Sequence, residues 1–128
     1  MSNANHIALT VACDPNLARI VRMTAANVAT LSSMSVDRVE DIRMAAEEAF
    51  IYACATSPED DLVIDFDADA GHVAMTFQLS ADAYAKPSED DPTATYADLI
   101  LGSVCDAYEK HESPARLFLD LKADVDGL

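Results

Sequence analysis

The stretch Asp41-Ile-Arg-Met-Ala-Ala-Glu-Glu-Ala-Phe-Ile-Tyr-Ala-Cys-Ala-Thr56 carries the strongest pattern in the chain. Apolar residues recur every three or four positions, in it and just before it, and therefore share one side of a helix. They are Val39, Ile42, Ala46, Ala49, Phe50, Ala53 and Cys54. The spacing predicts a helix that packs this stripe against a core.

Carboxylates stand at the border of the stripe. Glu47 and Glu48 flank it, and Tyr52 follows Glu48 by four residues, so Glu48 and Tyr52 project from one face a turn apart. Charged residues beside an apolar stripe are usually solvated, and a tyrosine there usually fills space at the core boundary. The alternative is a functional site built on Glu48 and Tyr52.

The rest of the chain alternates between strand and helix patterns. Period-two alternation of apolar and polar residues predicts strands over 6–13, 62–69, 72–80 and 114–122, the middle two forming a hairpin. Asp14-Pro15 predicts the start of a first helix, Ser35 caps the central one, and apolar spacing from Tyr96 to Tyr108 predicts a third. The order β-α-α-β-β-α-β favours a two-layer α/β (α+β) sandwich, a mostly antiparallel sheet covered on one face by three helices.

Length and patterning indicate one domain over residues 1–128. Residues 1–5 and 123–128 are expected to be tails. The segment 81–94 contains two prolines and four acidic residues without apolar periodicity, which predicts a long, lid-like acidic loop. The start of the chain lacks the pattern of a signal peptide, and no apolar run is long enough for a membrane span, so a cytoplasmic protein is expected.

The formal net charge of -15 opposes binding to nucleic acid and to anionic lipid. It favours a neutral or basic protein partner. The three cysteines are far apart in apolar surroundings, as reduced structural thiols are, and the three histidines are scattered. We therefore expect no metal site; Asp65, Asp67 and Asp69 are more simply the solvent row of a strand than a calcium loop.

The central stretch resembles the N-box helix of the GHKL ATPases, the superfamily of gyrase, mismatch-repair proteins and histidine kinases, in the small form found in bacterial anti-sigma-factor serine kinases. The family helix reads roughly Ala-x-x-Glu-Ala-x-x-Asn-Ala, in which Glu acts as base and Asn holds Mg²⁺. Ala45, Glu48, Ala49 and Ala53 match this pattern, and Tyr52 stands at the Asn position. The order of elements from about residue 7 to residue 122 is also that of the family.

The glycine motifs of the family are altered here. Its adenine-binding Asp-x-Gly-x-Gly corresponds to Asp82-Ala-Tyr-Ala-Lys86, which keeps the Asp but places Tyr84 and Lys86 where glycines let a nucleotide approach the backbone. The second glycine box corresponds to Ala94-Thr-Tyr-Ala-Asp98, which contains no glycine. The resemblance thus implies a vestigial nucleotide pocket formed by Asp82, Tyr52, Tyr84 and Lys86.

Three functions are compatible with this sequence. The first is an anti-sigma-like regulator that binds a sigma factor or a STAS-type antagonist, with lost or weakened ATP binding, no resident cofactor and a possible homodimer. The second is an active Mg-ATP-dependent serine kinase that phosphorylates its antagonist, with Glu48 as catalytic base and Asp82 as adenine anchor. The third is a pocket re-purposed for another small ligand.

Overall fold

Three helices cover one face of a five-stranded antiparallel sheet in the computed structural model, which describes residues 5–56, 61–79 and 93–125. The strands are β1 (Asn5–Val11), β2 (Leu62–Asp69), β3 (His72–Gln78), β4 (Ala107–His111) and β5 (Arg116–Lys122), and the helices are α1 (Ala18–Ala29), α2 (Val36–Thr56) and α3 (Thr93–Val104). The strand order is β1-β2-β3-β5-β4, and every neighbouring pair is antiparallel. The two-layer sandwich expected from the sequence is confirmed at this level.

The core lies between the sheet and the helices, where the predicted alternation places it. The inward rows of the central strands are almost fully buried: Leu62, Ile64, Phe66, Val73, Met75, Phe77, Leu117, Leu119 and Leu121. Opposite them, α2 contributes Ile42 and Phe50 together with four buried alanines, at positions 45, 46, 49 and 53. Small side chains let this helix approach the sheet closely.

The helix starts follow the capping residues in the sequence. The Ser35 hydroxyl accepts a hydrogen bond from the Arg38 backbone N–H at 3.1 Å, which caps α2. The Asp14 carboxylate accepts a hydrogen bond from the Asn16 backbone N–H at 2.9 Å. Asp14 caps a 3-10 turn over Pro15–Leu17 rather than α1 itself, and this turn continues into α1.

One prediction from the sequence is wrong. The third helix was expected to reach Tyr108, but α3 ends at Val104, and the next residues form the additional strand β4 at the edge of the sheet. Asp106 explains the change of direction: its backbone N–H donates to the Asp120 carbonyl at 2.8 Å, and its carboxylate accepts from the Lys122 backbone N–H at 2.7 Å. These contacts with β5 override the helical periodicity.

Arg38 joins the start of α2 to the end of α3 and to β5. Its side chain is 14% exposed. The guanidinium donates to the Lys122 carbonyl at 2.9 Å, to the Val104 carbonyl at 3.2 Å and to the Asp41 carboxylate at 3.1 Å, and it also pairs with the Asp106 carboxylate. A single side chain therefore satisfies the last α3 carbonyl and fixes the turn that leads into β4.

The residues after β5 are bonded to the fold as far as the structure describes them. The Ala123 backbone N–H donates to the Gly71 carbonyl at 2.8 Å, and the Val125 N–H to the Ser33 carbonyl at 3.1 Å. The Asp124 carboxylate accepts from the Ser35 backbone N–H at 2.8 Å and from its hydroxyl, and these hydrogen bonds lower the pKa of Asp124. The part of the expected tail up to residue 125 thus packs against the start of α2.

The other face of the sheet carries histidine–aspartate pairs. His6 Nδ1 lies 2.8 Å from Asp67 on the neighbouring strand, and His72 Nδ1 lies 2.6 Å from Asp120, with Asp69 3.5 Å from its Nε2. The aspartates of β2 thus form the outward row that their alternation predicts.

Within residues 5–56, 61–79 and 93–125, no group of acidic, histidine or cysteine side chains has the geometry of a metal site. None of the helices described combines the length and the apolarity needed to cross a membrane.

Replacing Arg38 with Met should lower the free energy of unfolding by about 2 kcal/mol, because the Val104 and Lys122 carbonyls lose their donor and the Asp106 carboxylate loses its counter-ion. Denaturant unfolding measures the change. Arg43→Met is the matched control: among the described residues the Arg43 guanidinium bonds only Glu40, at 2.7 Å, and its side chain is 38% exposed. A loss of about 0.5 kcal/mol or less is expected there, and equal losses in the two variants would contradict the role of Arg38.

The hydrogen bond to Asp120 raises the pKa of His72 above its ordinary value of 6.5, against the opposing effect of burial. A histidine whose folded pKa is raised stabilises the fold fully below its unfolded pKa, and this contribution is lost as the pH rises through the folded value. We therefore expect the free energy of unfolding to fall between about pH 6 and about pH 8, and to fall less in His72→Gln.

Asp120→Asn tests the same pair from the other side. Denaturant unfolding at a series of pH values should show a similar flattening in Asp120→Asn and in the double variant with His72→Gln. A pH dependence unchanged from wild type in both single variants would show that the pair makes no contribution.

Candidate functional site

Tyr52 is a buried residue whose hydroxyl is hydrogen-bonded to another side chain. Its side chain lies on the inward side of α2 and is 5% exposed. The Lys110 ammonium, on β4, donates a hydrogen bond to the Tyr52 hydroxyl at 3.2 Å and lies 5.3 Å from the centre of the ring. The position that the resemblance equates with a metal-holding Asn is thus filled by a phenol in contact with a cation of the protein itself.

Asp98 and Tyr108 complete this group of side chains, which we call the Lys110 cluster: Tyr52, Asp98, Tyr108 and Lys110. The ammonium pairs with one Asp98 carboxylate oxygen at 3.1 Å, and the Tyr108 hydroxyl donates to the other at 2.7 Å. The members come from α2, α3 and β4, so the cluster links the two helices to the edge strand.

The pairing of β4 with β5 explains why Tyr108 and Lys110 point toward the helices. Tyr108 lies opposite Leu119 and Lys110 opposite Leu117, and both leucines are buried under the helical layer. Residues directly opposite in an antiparallel pair share a face of the sheet. The Ala107–His111 segment thus presents a phenol and an ammonium to α2 and α3, while the intervening Glu109 faces the open side.

The cluster keeps Lys110 charged. Burial would lower the pKa of Lys110, but the hydrogen bonds to Tyr52 and Asp98 and the nearby Asp98 charge act against burial, and the net result is a raised pKa. The ammonium is thus a fixed positive charge beside the helix that the sequence singled out.

Glu48 lies one turn before Tyr52 on α2 and is half-buried. Burial raises the pKa of its carboxyl, with a smaller contribution from the charge of Glu47. The Glu47 carboxylate forms an ion pair with Arg22 on α1 and accepts a hydrogen bond from it at 3.0 Å. The raised pKa makes Glu48 a candidate for acid–base chemistry, whereas the Glu47 carboxylate is paired with Arg22.

The remaining predicted site residues, Asp82, Tyr84 and Lys86, lie outside the described residues, as does most of the predicted loop 81–94; its last two residues begin α3. The sequence did not predict Asp98, Tyr108 and Lys110 as site residues. The reason is that residues 96–108 fit a helical pattern, whereas Tyr108 and Lys110 lie on the strand β4. The sequence contains no clear strand signal there, because Glu109 and Lys110 are both charged and Ala107–His111 shows no regular alternation of apolar and polar residues.

The residues around Tyr52 are a poor fit for Mg²⁺. This ion prefers carboxylate, carbonyl and water oxygens in an octahedral arrangement, and a neutral phenol is a weak ligand for it. The Lys110 ammonium, 3.2 Å from the phenol oxygen, would also repel a second cation placed there. The Asp98 carboxylate, 3.1 Å from this ammonium, already neutralises it and is not free to balance the charge of a metal ion.

The outer side of the helical layer exposes several large apolar side chains. On α3, Tyr96 and Leu99 are 63% and 66% exposed and lie three residues apart on one face. With Ile100 and Ser103 they line a groove of about 280 Å³. The other helices contribute further exposed apolar residues: Ile20, Met23, Met44 and Ile51. A contiguous exposed apolar surface is typical of an interaction site, and the groove lined by Tyr96, Leu99 and Ile100 is the part of this layer that has that character.

Comparison with known proteins gives no family for this chain. No protein-family model matches it, and no curated protein matches it.

Tyr52→Phe removes the hydroxyl that accepts from Lys110 but keeps the buried ring. We expect the free energy of unfolding to fall by about 1 kcal/mol, because one hydrogen bond to a charged donor is lost while the ion pair with Asp98 remains. Denaturant unfolding measures this. Tyr96→Phe, at an exposed tyrosine, is the control and should change stability by about 0.5 kcal/mol or less. Equal effects in the two variants would show that the contact with Lys110 adds no stability.

Proposed function

We propose that this protein is a cytoplasmic regulatory module, similar in fold to anti-sigma factors, that acts by binding a protein partner and has lost most or all of its affinity for ATP. The partner classes are a sigma factor or a STAS-type antagonist, as the resemblance of the central helix implies. The observation that supports the proposal best is the Lys110 ammonium held between Tyr52 and Asp98.

This ammonium weakens the case for a Mg-nucleotide in two ways. It places a fixed positive charge where the family pattern has a metal-holding Asn, and the phenol that replaces the Asn is already an acceptor for that charge. A nucleotide triphosphate must also overcome the net charge of -15, which without a bound cation opposes its approach. The missing glycines at 82–86 and 94–98 argue in the same direction, because the family's glycines at these positions let a nucleotide approach the backbone.

The helical layer supports the proposed binding of a protein partner. Its exposed apolar side chains, with Tyr96 and Leu99 beside a groove, offer the apolar centre that a protein interface uses, and the net charge of -15 favours a partner with a basic rim. Such complementarity mainly raises the association rate, so the interaction is expected to weaken as ionic strength rises.

A kinase remains the second candidate because of Glu48. Glu48 is a half-buried carboxyl with a raised pKa, and it lies on the helix where the resemblance implies a catalytic base. A raised pKa is a property that general-base catalysis needs. In that case Asp82 would anchor the adenine, and the transfer would require Mg²⁺ to be bound elsewhere than beside Lys110.

Calorimetric titration with ADP and with Mg-ATP separates the two functions. A ligand that binds the folded state must stabilise it by mass action and raise the thermal midpoint. Because we propose that the nucleotide site is lost, we expect no binding heat and no shift of the midpoint at millimolar nucleotide. Micromolar binding would contradict the loss of the nucleotide site. If binding is found, Glu48→Gln tests the kinase directly, since it should abolish phosphorylation of an antagonist while nucleotide still binds.

The partner is tested by titrating candidate sigma factors and STAS-type proteins into the wild type and into two variants. Leu99→Ser removes an exposed apolar side chain next to the α3 groove and should weaken binding about tenfold or more. Glu48→Ala should leave the affinity unchanged. Absence of binding to every member of both classes would overturn the proposal, whatever the nucleotide result.

A further inference from the structure

The first helix differs in charge from the rest of this acidic chain. Residues 15–36, which include α1, contain no aspartate or glutamate, although the chain has 23 of them. The charged residues of this segment are Arg19 and Arg22, which lie three positions apart and therefore on one face of α1. In a chain with a net charge of -15, α1 is thus a locally positive element.

A cleft of about 310 Å³ lies where α1 meets α2, and we call it the α1–α2 cleft. It is lined by Arg22, Glu40, Arg43, Met44 and Glu47. Arg22 pairs with Glu47 across the two helices at 3.0 Å, and Arg43 pairs with Glu40 within α2 at 2.7 Å. Two positive and two negative side chains balance, so the lining has no net charge, in contrast to the chain as a whole.

Both guanidiniums of the cleft have hydrogen-bond donors that the fold leaves unused. A guanidinium has five N–H groups, and within residues 5–56, 61–79 and 93–125 Arg22 and Arg43 each bond one carboxylate, through Nη1. The Nε atoms of both are buried and have no hydrogen-bond partner in the part of the chain that the structure describes. A buried N–H without an acceptor is unfavourable, so a ligand that brings acceptor oxygens would stabilise this cleft.

Apolar side chains border the cleft on both helices. Met23 follows Arg22 on α1 and is nearly half exposed. On α2, Met44 and Ile51 are exposed to a similar degree, and their spacing from Glu47 places all three on one face of the helix. Methionine adapts its shape to the group that packs on it. A charged cleft with apolar borders fits an amphipathic protein segment better than it fits a free ion.

We propose that the α1–α2 cleft is a docking surface for an acidic, amphipathic segment of a protein partner. A carboxylate of this segment binds to the Arg22 and Arg43 guanidiniums, and its apolar side chains cover Met23, Met44 and Ile51. Charge complementarity selects an acidic occupant, because α1 contributes arginines alone and a guanidinium can only donate.

This surface has the opposite charge preference to the α3 groove, for which a basic partner is proposed above. It therefore goes beyond that function and does not depend on it. A membrane of anionic lipid is the less favourable occupant, because it presents negative charge to the whole molecule, and the net charge of -15 opposes its approach.

The test is to select random peptides displayed on phage against the full-length protein and to titrate synthetic copies of the enriched peptides into it. Peptides that combine acidic and apolar residues should be enriched. The double variant Arg22→Gln, Arg43→Gln should bind them about tenfold or more weakly, because it loses charge-assisted hydrogen bonds. In the wild type, the Nε–Hε NMR signals of Arg22 and Arg43 should shift on titration, whereas that of Arg116, on β5, should not.

Two variants control this experiment, and circular dichroism confirms that each variant is folded. Arg116→Gln removes an arginine of the sheet and should bind the peptides as the wild type does. Leu99→Ser, beside the α3 groove, should also leave their affinity unchanged, so that either docking surface can fail without the other.

Four results would overturn the proposal. They are enrichment of basic peptides or of none, equal affinity of the wild type and the double arginine variant, loss of affinity in Leu99→Ser instead, and binding of phosphatidylserine vesicles in place of peptides. The last result would assign the cleft to a membrane surface.

Discussion

The Arg38 guanidinium is the contact on which the arrangement of the elements around α2 depends. In a chain with eight lysines and arginines against 23 acidic residues, one of these few cations is placed at a junction of three elements and is largely removed from solvent. It donates hydrogen bonds to the backbone carbonyls at the end of α3 and at the end of β5. Arginine suits this role because its planar group presents donors in several directions at once.

Lys110 performs a related task at the opposite end of α2. There the ammonium joins the buried phenol of the helix to Asp98 of α3. The central helix is therefore fixed at both ends by a cation, and α3 takes part in both contacts. This explains how a strongly acidic chain keeps two helices packed together: part of its small supply of positive charge lies between elements, where each charge has several partners.

Much of the fold could be predicted from sequence because it follows from local patterns. The alanine-rich stripe of α2 and the alternating rows of β2, β3 and β5 each specify an element and its buried face. β4 could not be predicted in this way, since the pattern from Tyr96 to Tyr108 fits a helix; its strand conformation depends on Asp106 meeting β5. The candidate site was found in part, because Glu48 and Tyr52 share a helix face. Lys110 and Asp98 are distant from Tyr52 in sequence, and only tertiary packing brings these three residues together.

The place of β4 at the edge of the sheet has a consequence for the dynamics of the cluster. β4 is bonded to β5 on one side, whereas β3 lies between β2 and β5. Strands with one neighbour open at a lower free energy than central strands, so amide hydrogens in β4 are expected to exchange with solvent sooner than those in β3. Each such opening carries the Lys110 ammonium away from Tyr52. The charge beside the central helix is thus tied to an edge strand, and the electrostatic character of this region follows the local opening of that strand.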